Sequence, residues 1–280
     1  MNDPLVSTAW LAERLGSAEV EVVDATWFMP GEPRTGADAY AAGHIPGAVF
    51  FDIDAISDRG SALPHMLPAA DAFAEAAGAL GLRRDLTIVI YDGQGVFSAP
   101  RVWWTLRTMG FPEVFVLDGG LPKWIAEGRP VETSAPHPPA TTIEPAFDPS
   151  LVRDLEAVRA ALTDGETQVV DARPGPRFRG EAPEPRAGLR GGHMPGARNV
   201  PWNSLVAADG TMKSAQDIRT AFEAAGVDLA KPLVTTCGSG VSAALLALAL
   251  ARLGRDDAAV YDGSWSEWGG RSDTPVVAGA

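Results

Sequence analysis

The chain contains one cysteine, Cys237, so any thiol chemistry it performs runs through that residue. Cys237 follows the apolar run Leu233–Thr236 and precedes a strongly helical segment, Ser242–Leu253. The pattern predicts a strand-to-helix turn at the C-terminal edge of a sheet, the edge where open α/β sheets bind ligands. The turn reads Cys237-Gly238-Ser239-Gly240-Val241-Ser242-Ala243. Its glycines let the backbone curl. A tight turn opening a helix aims amide N–H groups inward and adds the positive end of the helix. Those dipoles favour a thiolate over a thiol, and the thiolate is the nucleophile. A lone cysteine in another setting reads as inert core. The glycines and the strand–turn–helix context make this one a nucleophile.

Other side chains narrow the chemistry. A phosphatase loop of the Cys-x5-Arg type needs arginine six residues after the cysteine, and Ala243 stands there. A cysteine hydrolase needs a histidine base. His44 and His193 occupy matching places in an internal repeat and read as structural supports of a His-x-Pro-Gly turn; His137 lies among prolines and reads as solvated. His65, in Pro64-His65-Met66-Leu67-Pro68, has no counterpart in the second repeat. It reads either as a residue near the site or as loop packing, with Asp54 as a carboxylate partner in the first case. Arg173, Arg177, Arg179, Arg186 and Arg190 face only Glu181 and Glu184 in a segment rich in Gly and Pro. In an acidic chain that local reversal predicts a loop that binds an anion, since guanidinium groups take carboxylates bidentately.

The elements that position these residues occur twice. Val22-Val23-Asp24-Ala25 returns as Val169-Val170-Asp171-Ala172, and Gly43-His44-Ile45-Pro46-Gly47-Ala48 as Gly192-His193-Met194-Pro195-Gly196-Ala197. Thr87–Tyr91 pairs with the run ending at Thr236, and Asp118-Gly119 with Trp124 pairs with Asp262-Gly263 and Trp268. Asp92 then stands at the cysteine position of the first copy, so the second copy reacts and the first shapes the site. Strand-like Thr87–Tyr91 and Glu113–Leu117 alternate with helix-like Ala70–Leu80 and Ser98–Met109. That alternation predicts two α/β domains, each a mostly parallel sheet with helices on both faces, meeting across a cleft. The expected boundaries are residues 1–129 and 150–280. The proline-dense stretch 130–149 reads as an extended linker between them.

Composition excludes other classes. The chain has 280 residues, 46% hydrophobic and 21% charged, which is a globular balance. With 23 basic and 36 acidic residues it carries a net charge of −13, against nucleic acid or an anionic membrane as partner. No apolar run approaches a membrane span. The opening residues lack the pattern of a secretion signal, so a cytoplasmic protein is expected. One cysteine permits neither an intrachain disulfide nor a cysteine-based metal cluster.

These residues resemble the rhodanese superfamily, specifically its tandem-domain sulfurtransferases. The Cys237-Gly-Ser-Gly-Val-Ser-Ala turn is similar to the loop of the 3-mercaptopyruvate type, whereas thiosulfate-using members place basic side chains after the cysteine. Arg177-Phe178-Arg179-Gly180 and Pro183-Glu184-Pro185-Arg186 are similar to the same group. The resemblance implies that Arg177 and Arg186 hold the substrate's carboxylate and carbonyl. It implies that Gly238, Gly240, Val241 and Ser242 line the sulfur site, and that Asp54, His65 and Ser239 assist proton transfer around Cys237. Ser242 replaces a common threonine and keeps the hydroxyl. The implied reaction moves sulfur from 3-mercaptopyruvate through a Cys237 persulfide to a thiol or cyanide, releasing pyruvate without metal or organic cofactor. Thioredoxin, glutathione and cyanide are the implied acceptors. Two alternatives stay open: a thiosulfate:cyanide sulfurtransferase, and a non-catalytic module that binds a partner or carries sulfur.

Overall fold

Runs of β-branched and aromatic residues suit a pleated, buried surface, and such runs form the strands of a computed structural model that describes residues 3–279. The described residues divide into two units. Unit 1 runs through Gly60, resumes over Leu67–Asp148 and includes Ala208–Met212. Unit 2 comprises Ser61–Met66, Pro149–Ala207 and the chain from Lys213 onward.

In unit 1 the strands are β1 (Leu5–Val6), β2 (Val20–Asp24), β3 (Val49–Phe50), β4 (Thr87–Tyr91) and β5 (Val114–Leu117), in the order β1-β5-β4-β2-β3. Every pairing is parallel. Parallel neighbours require crossovers, and these are α1 (Thr8–Ala12), α2 (Gly36–Ala42), α3 (Ala70–Ala79) and α4 (Ala99–Thr108), with α5 (Gly120–Ala126) after the last strand. Val89 and Tyr91 pack with Leu11, Leu117 and Trp124 on one side of the sheet. Ile88 and Ile90, one residue out of phase, point to the other side, where α4 lies against β4 and β5. The proline-dense stretch is extended and lies with unit 1: Thr141 N–H donates to Gly78 O at 2.9 Å, and Asp148 N–H to Thr108 O at 2.7 Å.

Unit 2 repeats the plan. Its strands are β6 (Val152–Arg153), β7 (Gln168–Asp171), β8 (Arg198–Asn199), β9 (Leu233–Thr236) and β10 (Ala259–Tyr261), in the order β6-β10-β9-β7-β8, again all parallel. Its helices are α6 (Leu155–Asp164), α7 (Gly175–Phe178), α8 (Ala215–Ala224), α9 (Val241–Arg252) and α10 (Ser264–Trp268). Helix α9 is apolar nearly all round and correspondingly buried, so it is a core element rather than a surface one. No helix among the described residues is long and apolar enough to cross a membrane.

The two copies treat one buried carboxylate differently. Asp171, at the end of β7, receives the guanidinium of Arg173 at 2.6 Å. Asp24, at the same place on β2, has Thr26 where Arg173 would stand. Its Oδ1 accepts the Thr26 N–H at 2.8 Å. Burial, reinforced by the nearby Asp92, raises the Asp24 carboxyl above its ordinary 3.8. The unfolded chain therefore releases this proton first, and the folded state binds more protons at higher pH. Stability falls as pH rises from about 4 through the folded-state value. Asp24→Asn, which cannot ionise and keeps an acceptor for Thr26, is expected to flatten that fall. It should raise unfolding stability near pH 7 by about 1–3 kcal/mol, with the gain vanishing toward pH 4. Chemical unfolding of both proteins across pH checks this; a gain that does not vary with pH would discard Asp24 as its cause.

Candidate active site

β9 ends at Thr236 and α9 begins at Val241, so Cys237–Gly240 is the whole connection between them. Gly240 sits at the N-cap with φ of 81°, a left-handed conformation that strains other residues. No side chain caps α9, and the first-turn amides of any helix lack acceptors within it. Cys237 is 2% exposed and Ser239 is 5% exposed, while Gly238 and Ser242 are partly accessible.

Unit 1 displays what its own copy of this loop does with a carboxylate. Strand register makes Tyr91 the counterpart of Thr236, opposite Asp24 and Asp171 respectively, so Asp92 is the counterpart of Cys237. The Asp92 carboxylate accepts four backbone N–H groups: Gln94 and Phe97 at 2.8 Å, Ser98 and Ala99 at 2.9 Å. In the first copy the cradle is occupied by the chain's own anion. The same steps from Cys237 lead to the amides of Ser239, Ser242, Ala243 and Ala244, three of them in the first turn of α9. An anionic sulfur at residue 237 would meet the same type of donor.

The arginine segment separates into two groups by what each guanidinium meets. Arg173 is buried: it chelates Asp171, donates to Gly192 O at 2.9 Å and to Glu184 at 2.8 Å, and lies 4.0 Å from the ring centroid of Trp265. Arg190 spends its donors on the carbonyls of Trp268, Gly269 and Thr274. Arg179 pairs with Glu181 at the surface. These three hold the fold or face solvent. Arg179 has its partner two residues away, but the Gly192, Trp265, Trp268, Gly269 and Thr274 groups that enclose Arg173 and Arg190 lie far from them in the chain, where a spacing rule does not reach.

Arg177 and Arg186 remain. Arg177 comes off α7, pairs with the buried Glu184, and reaches the cysteine loop: a Cβ on Gly238 would lie 3.2 Å from its Nη2. Glu184 thus ties the buried Asp171–Arg173 pair to a guanidinium beside the loop. Arg186 Nη2 lies 3.1 Å from His65 Nε2. Arginine is a donor only, so at this contact Nε2 stands as the acceptor. His65 is 7% exposed and holds φ of 60°, a conformation disfavoured outside glycine. Backbone strain of this kind persists where the surroundings enforce it. Within unit 2 the fold therefore brings His65 to Arg186, and Arg177 to the loop of Cys237, Ser239 and Gly240. Asp54 belongs to unit 1, where its Oδ2 accepts the indole N–H of Trp27 at 3.0 Å.

His44 and His193 have matching structural environments. Each Nδ1 lies within 2.9 Å of a backbone carbonyl, Tyr40 O or Phe178 O, and each ring stacks on that same residue. Two residues escaped the sequence reading. Ser264 Oγ accepts the Cys237 N–H at 3.2 Å, and Ser266 bonds to Gly238 O. The available signal was a mismatch between the repeats, where Gly120 and Pro122 stand at those positions.

Fold and site together define a class: a duplicated parallel α/β domain whose second copy presents a single cysteine in an amide-lined strand-to-helix loop. The rhodanese-like domain model matches residues 7–127 and 154–271, and the chain belongs to that family. It is 46% identical to the 3-mercaptopyruvate sulfurtransferase of Escherichia coli K12 over 97% of this chain and 96% of that one. It is 43% identical to the human 3-mercaptopyruvate sulfurtransferase over 94% of this chain and 91% of that one. A bovine thiosulfate sulfurtransferase is 42% identical over the same shares, 94% and 91%. The crystal structure of SseA from Escherichia coli superposes with a TM-score of 0.87 at 43% identity, covering 94% of this chain and 99% of that one.

Proposed function

We propose that this chain is a sulfurtransferase that takes sulfur from 3-mercaptopyruvate onto Cys237 and passes it to a thiol or to cyanide. The observation that carries the donor choice is the loop itself. Gly238 and Ser239 follow the cysteine with no basic side chain, and the nearby cations are the arginines that can fork a carboxylate. Overall identity does not decide, since relatives of both donor types match about equally. Thiosulfate is a compact dianion, whereas mercaptopyruvate carries its carboxylate away from its sulfur. An arginine beside the loop, rather than a lysine within it, fits the second.

In the proposed cycle the Cys237 thiolate attacks the donor's sulfur. The S–S bond forms as the C–S bond breaks, and the bonding pair passes to carbon as the enolate of pyruvate. The proton carried by the transferred sulfur is enough to convert that enolate to pyruvate, leaving an anionic persulfide. Arg177 and Arg186 hold the ketoacid, and charge developing on its oxygen is met by fixed donors. The loop amides take up the persulfide charge. His65, with Asp54 and Ser239, is the group proposed to handle the proton, and Arg186 lies against its Nε2. An acceptor thiolate, from glutathione or thioredoxin, or cyanide then attacks the outer sulfur and regenerates the Cys237 thiolate. A free catalytic thiol fits a reducing compartment such as the cytoplasm, although one plant relative is named as mitochondrial.

A side-by-side donor assay tests the reading. With 3-mercaptopyruvate and a thiol acceptor the protein should release pyruvate, at a kcat/KM above that for thiosulfate with cyanide. Preference for thiosulfate would overturn the donor assignment. If neither donor left a sulfur atom on the protein by mass spectrometry, the non-catalytic module would stand instead.

A further inference from the structure

The reacting and non-reacting copies provide an internal control for what shapes the cysteine loop. In unit 1 the closing segment reads Asp118-Gly119-Gly120-Leu121-Pro122, and in unit 2 it reads Asp262-Gly263-Ser264-Trp265-Ser266. One hydrogen bond is common to both: Leu121 N–H to Asp92 O at 3.0 Å, and Trp265 N–H to Cys237 O at 2.9 Å. The backbone is common too, since Gly120 has φ of 53° and Ser264 has φ of 49°. Glycine adopts that conformation freely; serine does so under strain.

The strained serine makes contacts that glycine lacks. Its hydroxyl donates to Tyr261 O at 2.8 Å, so toward the Cys237 N–H, at 3.2 Å, it acts as acceptor. Where unit 1 has Pro122, with no N–H to give, Ser266 directs both its N–H, at 2.8 Å, and its Oγ, at 2.7 Å, to Gly238 O. The carbonyls of Cys237 and Gly238 are thereby both turned toward α10. All peptides among the described residues are trans, and in a trans peptide the N–H points opposite to the C=O. The N–H groups of Gly238 and Ser239 are therefore turned away from α10, and the counterpart of the second, the Gln94 N–H, is one of the donors to the Asp92 carboxylate in unit 1.

We propose that Ser264 and Ser266 are positioning residues, absent from the non-reacting copy, that clamp the Cys237 loop so that its amides face the sulfur. This deepens the sulfurtransferase reading and rests on it for the nature of the anion. Ser264→Gly tests it with the backbone strain relieved, since glycine relaxes at this φ as Gly120 does, which offsets the loss of the hydroxyl's bonds to Tyr261 O and the Cys237 N–H. Two readouts are needed: kcat and KM with 3-mercaptopyruvate, and the rate at which neutral iodoacetamide alkylates Cys237.

S264G is expected to keep or raise the thermal midpoint while kcat and the alkylation rate both fall on the order of tenfold, with KM changed less than about twofold. S264A should lose the same activity and also some stability, since it retains the strain without the hydroxyl. S266A should show a smaller loss of both rates, because its N–H still holds Gly238 O. Unchanged kcat and alkylation in S264G, or losses that merely follow the thermal midpoint across the three variants, would overturn the clamp. A wild type that turns over neither donor would defeat the sulfurtransferase reading while the alkylation arm still judged the clamp.

Discussion

Cys237→Ser is expected to abolish turnover, by on the order of 10³–10⁴-fold or more, without unfolding the protein. The main-chain bonds that hold residue 237, from its N–H to Ser264 and to its carbonyl from Trp265, do not involve the side chain. Serine fills nearly the same buried volume, so the loop and α9 should persist and the thermal midpoint should stay close to wild type. What disappears is the chemistry. A hydroxyl does not yield a nucleophilic anion under conditions where a thiol does, and oxygen cannot store the transferred atom as a persulfide. The chain has no second cysteine to take over. After incubation with 3-mercaptopyruvate the wild type should gain the mass of one sulfur atom, lost again on adding a thiol, and the variant should gain nothing. Substantial turnover or a mass gain in the variant would refute a Cys237 persulfide.

Much of this arrangement is legible in the sequence, and the parts that are not share a physical cause. The strands read from Thr87–Tyr91 and Glu113–Leu117, and the helices around Ala70–Leu80, Ser98–Met109 and Ser242–Leu253, are all present within a residue or two at their ends. Those elements are dictated locally, by runs of β-branched residues or by alanine- and leucine-rich stretches. The duplication carries the topology, because the strand order is identical in the two copies. The fate of each arginine is not local. Arg173 and Arg177 stand four residues apart, yet one is enclosed by Asp171, Gly192 and Trp265 while the other reaches the cysteine loop. Nothing in their spacing distinguishes them. Nor does sequence alone assign Ser61–Met66 to unit 2 and Ala208–Met212 to unit 1, since each leaves the repeat that surrounds it in the chain. Ser264 is an intermediate case: a serine in a left-handed backbone is invisible in one copy and conspicuous once Gly120 is laid beside it.

Loss of either site arginine should appear in KM before it appears in kcat. Glu184 engages Arg177 through Nε and Nη2, which leaves the Nη1 edge of a planar fork for a carboxylate. A hydrogen bond to a charged group contributes about 1.5–3 kcal/mol. Arg177→Ala should thus raise the KM for 3-mercaptopyruvate roughly ten- to a hundredfold. Arg186→Ala should act similarly and also strip His65 Nε2 of its donor, so it alone is expected to lower kcat as well. Arg177→Lys separates charge from geometry: an ammonium preserves the charge but not the fork, and most of the KM rise should remain. If both arginines hold one substrate molecule, the double variant should lose less than the combined effects of the single ones. Glu184 keeps its contact with Arg173 in the Arg177 variant, so the fold has no reason to fail there, and the rate of Cys237 alkylation by iodoacetamide should stay within about threefold of wild type. Steady-state kinetics with both donors decides the matter: unchanged KM for 3-mercaptopyruvate in both alanine variants removes the arginines from donor binding, whatever the cysteine does.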